Sequence, residues 1–236
     1  MSKTVLITGG NRGLGLELVK CFAGMGWNVL ATARNVDTLP KDLCVCYPLD
    51  LQQSVQIDNL VHLLSDKKID LLIHNAGFNP KEVKEGGYFE STFYMKNFSA
   101  QNVAESCMIN ALHPMELTGK LLANHLTENV IVIGISSWLG SIGKKDFAGH
   151  YGYAGSKALL NMCLKGLSLE FEKDPDASRC AIALNPGWMS TDMGGSSAEQ
   201  TPEQVAKAIY DMVAEEGYLL SQNGKFINAD RTEHEW

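Results

Sequence analysis

Apolar residues cluster in short runs at 4–8, 28–33, 70–74, 130–136, 179–185 and 225–228, separated by longer stretches in which they recur every three or four residues. The short runs predict strands, and the longer patterns predict helices over 14–25, 100–126, 155–171 and 202–215. The last helix has Thr201 as N-cap and Pro202 in its first turn. Runs such as Val130-Ile131-Val132-Ile133 are continuous instead of alternating, as befits strands covered on both faces. Strands alternating with helices build parallel βαβ units, so one α/β domain over 1–236 is predicted, with a doubly wound parallel sheet flanked by helices on both faces. Residues 79–97 lack periodicity and read as a connection containing a short helix. The Gly-Ser-rich stretch at 193–199 follows a strand and is expected to form a mobile lid.

Composition narrows the class. The 236 residues are 45% hydrophobic and 20% charged, too apolar for a disordered chain, and the net charge of -7 argues against nucleic acid or an anionic membrane surface as partner. The early apolar stretch Val5-Leu6-Ile7 is too short for a signal peptide or a membrane span, so a cytosolic (cytoplasmic) protein is expected. Six cysteines are scattered along the chain, and the lone Cys44-Val45-Cys46 lacks a second ligand pair. Reduced thiols and no metal site are the expectation.

Two segments carry chemistry. Thr8-Gly9-Gly10-Asn11-Arg12-Gly13-Leu14-Gly15 is a glycine-rich turn between a strand and a helix. Backbone N–H groups and the helix dipole there can meet a pyrophosphate, although the glycine spacing differs from the generic G-x-G-x-x-G. Tyr153-Ala154-Gly155-Ser156-Lys157 sets a phenol and an ammonium on one helix face. A neighbouring cation is expected to lower the phenol's pKa and let the pair shuttle a proton. Tyr151 has Gly155 at the corresponding position and gains no such cation.

With these residues the chain resembles the short-chain dehydrogenase/reductase family, whose T-G-x-x-x-G-x-G motif runs from Thr8 to Gly15. Further matches fall in order: Asp50, Asn75-Ala76-Gly77, Ser136-Ser137, Tyr153 with Lys157, and Asn185-Pro186-Gly187. The resemblance implies a Rossmann fold and an oxidoreductase passing a hydride between NADP(H) and a small-molecule carbonyl substrate. It implies that Tyr153 is the proton donor, Ser137 binds the carbonyl, Lys157 also holds the nicotinamide ribose and Asn110 props the lysine. Chemistry alone does not separate Ser136 from Ser137; the family role falls on the second serine. The implied cofactor residues are Gly9, Asn11, Arg12, Gly13, Leu14, Gly15, Arg34, Asp50, Leu51, Asn75, Ala76, Gly77, Tyr153, Lys157, Pro186, Gly187 and Thr191. Relatives often pair through two long helices, which makes a homodimer the favoured assembly.

Ala31-Thr32-Ala33-Arg34, Ser156 to Met162, Asn185 to Gly195 and Trp236 resemble the sniffer-type and C-factor-like carbonyl reductases. Arg34 stands at the end of the second strand, where an NAD site usually offers an acid, and Arg12 can reach the same place. Two guanidinium groups suit a 2′-phosphate, so NADPH is expected over NADH. A nucleotide-binding signalling protein of C-factor type with little turnover is the alternative. Lys144, Lys145 and His150 lie in the loop before Tyr153 and are read as solvated.

Overall fold

The computed structural model describes residues 2–83, 86–174, 176–190, 198 and 200–236. Seven strands form one parallel sheet in the order β3-β2-β1-β4-β5-β6-β7. They are β1 (Thr4–Ile7), β2 (Asn28–Ala33), β3 (Val45–Pro48), β4 (Ile69–His74), β5 (Leu126–Ile135), β6 (Cys180–Asn185) and β7 (Phe226–Asn228). The helices are α1 (Gly13–Gly24), α2 (Ser54–Leu64), α3 (Tyr88–Phe93), α4 (Ala100–Cys107), α5 (His113–Leu122), α6 (Tyr151–Phe171), α7 (Pro202–Ala214) and α8 (Tyr218–Ser221). From β1 the chain winds outward to β3, then returns to lay β4 against the other side of β1. That reversal opens a crevice at the carboxyl ends of β1 and β4.

Alternate residues of each strand feed two cores. Val5 and Ile7 of β1 pack with Leu18 and Phe22 of α1 and Ile209 of α7, while Leu6 packs with Ile57 of α2, Leu117 of α5 and Leu164 of α6. Strand positions facing either layer are therefore mostly apolar, which explains the continuous runs. At Gly134 in β5 an added Cβ would lie 2.4 Å from a Leu164 methyl, so α6 rides closer to the sheet there than any side chain would permit.

The structure departs from the sequence expectation in three places. Strand β3 and helix α2 were not among the predicted runs. The expected helix over 100–126 is broken: Met108–Leu112 is a π turn between α4 and α5, and Leu126 already belongs to β5. Pro114 supplies the reason for the break, since it has no N–H to give to the Asn110 carbonyl four residues earlier. In the 79–97 connection lie α3 and the 3₁₀ turns Pro80–Glu82 and Met95–Asn97. Among the described residues no helix is long and apolar enough to cross a membrane.

His74 ends β4 fully enclosed. Its Nε2 lies 2.7 Å from Thr118 Oγ1, whose hydroxyl proton goes to the Pro114 carbonyl at 3.1 Å. Nε2 must therefore carry the hydrogen, which leaves Nδ1 a buried acceptor that no group partners. Burial drives the imidazole's pKa down to about 3. Between pH 6.5 and 3 the unfolded chain holds a proton on His74 that the folded chain does not, so stability must fall as pH falls through this window. The slope from one such group is about 1.4 kcal/mol per pH unit. Urea titrations of the parent and of His74→Gln between pH 7 and 4.5 should show the variant losing stability less steeply; equal slopes would contradict the assignment.

Candidate active site

Threonine and asparagine side chains build the floor of the crevice. Thr8, just past β1, donates its backbone N–H to Ile73 O at 3.0 Å, and its Oγ1 accepts the N–H groups of Asn75 and Ala76, each at 3.1 Å. Asn75 Nδ2 returns to the carbonyls of Thr8 and Gly9, both at 3.0 Å. The ends of β1 and β4 are thereby locked together under the glycine turn. Gly10 N donates to Thr32 O at 2.9 Å, which ties the turn to β2 as well.

The glycines are required by close approach. Gly9 sits at φ +69°, and a Cβ on Gly15 would fall 2.0 Å from Gly9 O and 2.5 Å from Asn75 Nδ2. No side chain fits there, so α1 begins against the turn and presents its first N–H groups to the crevice.

Above this floor lies a cavity of about 760 Å³. Its wall includes Gly9, Asn11, Arg12, Gly13, Leu14 and Gly15 from the turn and α1, Arg34 beyond β2, Asp50 and Leu51 beyond β3, and Asn75, Ala76 and Gly77 beyond β4. Tyr153 and Lys157 of α6 and Pro186 beyond β6 complete the expected set. Ser137, Asn110 and Gly187 do not line the cavity, and Thr191 lies outside the described residues. The expected lid at 193–199 also lies outside them, apart from Ala198.

Tyr153 and Lys157 line the cavity together. Ser137 lies close enough to the Tyr153 phenol to act on its pKa, and its Oγ accepts the Leu139 N–H at 3.3 Å. Ser136 lines the cavity, but its hydroxyl donates to Asn161 Oδ1 at 2.6 Å. Asn185, at the end of β6, accepts the Trp138 N–H at 3.1 Å and donates to Asn228 Oδ1 at 2.8 Å, fixing the turn that carries Ser137.

Lys157 is only 3% exposed. Its Nζ donates to Ile135 O at the end of β5, 2.8 Å away, and stands 5.7 Å from the Tyr153 ring centre. Burial lowers its ammonium to about 8. Burial pushes the Tyr153 phenol up to about 12; the Ser137 hydrogen bond opposes the rise and the Glu82 carboxylate adds to it. The phenol therefore holds its proton more tightly than an ordinary tyrosine, contrary to the expected lowering by the cation.

Asn110 sits at the middle of the π turn and is 1% exposed. Its amide clasps the backbone of Phe78, accepting from the N–H at 2.7 Å and donating to the carbonyl at 2.8 Å, and also donates to Ser156 Oγ at 2.9 Å. A Cβ on Gly77 would lie 3.6 Å from both Asn110 Oδ1 and Lys157 Nζ, so the two side chains converge beside that glycine.

Sequence reasoning missed the cavity's other wall. Glu82, Val83, Tyr88 and Glu105 face the glycine turn from the 79–105 region. Tyr88 donates to Glu105 Oε2 at 2.6 Å, Gln52 Nε2 donates to Glu105 Oε1 at 2.8 Å, and Arg12 pairs with Glu82 at 3.0 Å. His150 was read as a solvated loop residue, yet it is 9% exposed and its ring packs 4.5 Å from that of Phe93. The clue lay in the aromatic residues of 88–98 and in Phe147, which His150 also meets.

The family model for short chain dehydrogenases matches residues 3–202. The carbonyl reductase Sniffer of D. melanogaster is 28% identical with each chain fully covered, at a TM-score of 0.82. A carbonyl reductase from Pseudomonas aeruginosa PAO1, solved in complex with NADP, is 26% identical, again with full coverage of both chains, at a TM-score of 0.80. The C-signal protein of Myxococcus xanthus is 27% identical over 170 residues, 71% of this chain and 93% of that one. On its matched length, its sheet topology and its glycine turn, the chain belongs to the short-chain dehydrogenase family.

Proposed function

We propose that this protein uses NADPH to reduce a small carbonyl compound, an aldehyde, ketone or quinone, to an alcohol, with Tyr153 as proton donor. The observation that carries the reading is that Tyr153 and Lys157 of one helix line the same cavity as the glycine turn, with Ser137 acting on the phenol. The cavity's features suit a dinucleotide: a turn too tight for any Cβ at Gly15, the N-terminus of α1, and two arginines.

Bound there, the dinucleotide supplies a hydride to the carbonyl carbon. Negative charge then builds on the carbonyl oxygen, and the Ser137 and Tyr153 hydroxyls are the donors that stabilise it. Ser137 takes this part and not Ser136, whose hydroxyl is committed to Asn161. Because burial holds the phenol neutral, Tyr153 enters the reaction carrying its proton. Lys157, a cation at neutral pH, faces the developing phenolate and would hold the nicotinamide ribose. Asn110 positions the lysine: Pro114 leaves its carbonyl without the helical donor, and its amide fixes Phe78 alongside.

Gly9, Asn11, Gly13, Leu14 and Gly15 would surround the pyrophosphate. Asp50, Leu51, Asn75, Ala76 and Gly77 would line the nucleoside, and Pro186, Gly187 and Thr191 the nicotinamide. Arg12 and Arg34 would grip the 2′-phosphate, an assignment in keeping with the NADP complex of the Pseudomonas reductase. We read residues 1–236 as one catalytic unit and a homodimer as its assembly. A second reading, nucleotide binding with little turnover, is suggested by the C-signal relative. The Ser137, Tyr153 and Lys157 cluster favours the enzyme, because a sensor has no use for a proton donor.

Tyr153→Phe should keep NADPH affinity within experimental error and lower turnover by ~10²–10⁴-fold, the usual worth of a general acid; more than half the parent rate would refute Tyr153. Lys157→Met should lose turnover and also raise the NADPH Kd, while its thermal midpoint stays at or above the parent's because a buried charge has been removed. Unchanged cofactor affinity would dismiss the ribose contact. Arg34→Ala should cost about 1.5–3 kcal/mol of NADPH affinity and little of NADH affinity; equal losses for both would refute the phosphate clamp.

A further inference from the structure

The cavity wall contains a carboxylate that the proposed reaction does not use. Glu82 closes the 3₁₀ turn Pro80–Glu82 and faces the cavity together with Arg12 and Arg34. Its Oε1 accepts the Asn79 backbone N–H at 3.4 Å, completing a capping box that sets the side chain's direction. Its Oε2 accepts from Arg12 Nη2 at 3.0 Å. The same carboxylate contributes to the raised pKa of Tyr153, so its field reaches the far end of the cavity.

A carboxylate in this position resembles a phosphate in charge sign and in the acceptor atoms it offers an arginine. It engages one of the two guanidinium groups assigned to the 2′-phosphate. Neither partner is deeply enclosed, with side chains 47% exposed for Arg12 and 30% for Glu82, so the pair is weak enough to exchange. A 2′-phosphate brings more charge and a third acceptor oxygen to the same guanidinium, whereas the uncharged 2′-hydroxyl of NADH brings neither.

We propose that Glu82 is a specificity-determining residue: it engages Arg12 as a carboxylate stand-in for the 2′-phosphate, and NADPH must displace it. The inference rests on the reading of Arg12 as part of the phosphate clamp. Glu82 thus limits the preference for NADPH, because only the phosphorylated cofactor competes for the guanidinium that Glu82 holds. The turn at Pro80–Glu82 gives up this contact whenever the phosphorylated cofactor binds.

Calorimetric titration of NADPH and NADH into the parent, Glu82→Gln, Arg12→Ala and the double variant tests this. At low ionic strength Glu82→Gln should lower the NADPH Kd roughly two- to fivefold, the span of an exposed ion pair, and leave the NADH Kd unchanged. The gain should vanish when Arg12 is already alanine. No gain, an equal gain for both nucleotides, or a gain that persists without Arg12 would overturn the role of Glu82 while leaving the cofactor reading intact. A parent without NADPH preference, in which Arg12→Ala weakens neither nucleotide, would instead refute the phosphate clamp and this inference with it. Glutamine can still accept the Asn79 N–H, so an unchanged thermal midpoint is expected for Glu82→Gln.

Discussion

The site depends on one costly placement: an ammonium group almost wholly removed from water. Lys157 has no carboxylate partner among the described residues; the Ile135 carbonyl accepts its hydrogen bond, and burial lowers its pKa to about 8. Such a charge destabilises the fold unless its surroundings orient dipoles toward it. The parallel sheet offers those dipoles where β5 ends, and α6 is packed closely enough, over Gly134, to bring the lysine to that carbonyl. The cost falls where the proposed reaction sets a cation beside a phenol, which is where stability and function are expected to conflict.

The rest of the site follows from holding neighbouring strand ends in register. Thr8 and Asn75 bind β1 to β4 beneath the glycine turn, and Asn185 binds β6 to the turn carrying Ser137. These are buried or half-buried polar side chains with their bonds made, so they specify one arrangement of the strand ends instead of a range of them. The glycine turn and the hydroxyl-bearing end therefore lie on one rim, and residues of the 79–105 region line the cavity opposite them.

Much of this was legible in the sequence because it rests on short-range rules. Continuous apolar runs marked six of the seven strands, and the glycines at 9, 13 and 15 marked a turn that tolerates no side chain. The spacing of Tyr153 and Lys157 placed both on one face of α6. What escaped was set by tertiary context. Strand β3 is at the sheet edge and buries Tyr47 alone, and Pro48 ends its apolar stretch. Helix α2 does carry its core residues at helical spacing, Ile57, Leu60 and Leu64, but an uncapped start and many polar neighbours hid them. The π turn at Asn110 was announced only by Pro114, and the wall carrying Glu82 and Glu105 by nothing periodic at all. Nor could spacing show that burial would raise the pKa of the Tyr153 phenol.

The central claim, that this cavity passes a hydride from NADPH to a carbonyl carbon, is tested most directly by isotope transfer. The protein would be incubated with NADPH deuterated at nicotinamide C4 and a panel of aldehydes, ketones and quinones, and the products analysed by mass spectrometry. The account predicts at least one alcohol carrying a single deuterium on the former carbonyl carbon. Tight NADPH binding with no deuterated alcohol from any member of the panel would contradict it and favour a nucleotide-binding protein without turnover.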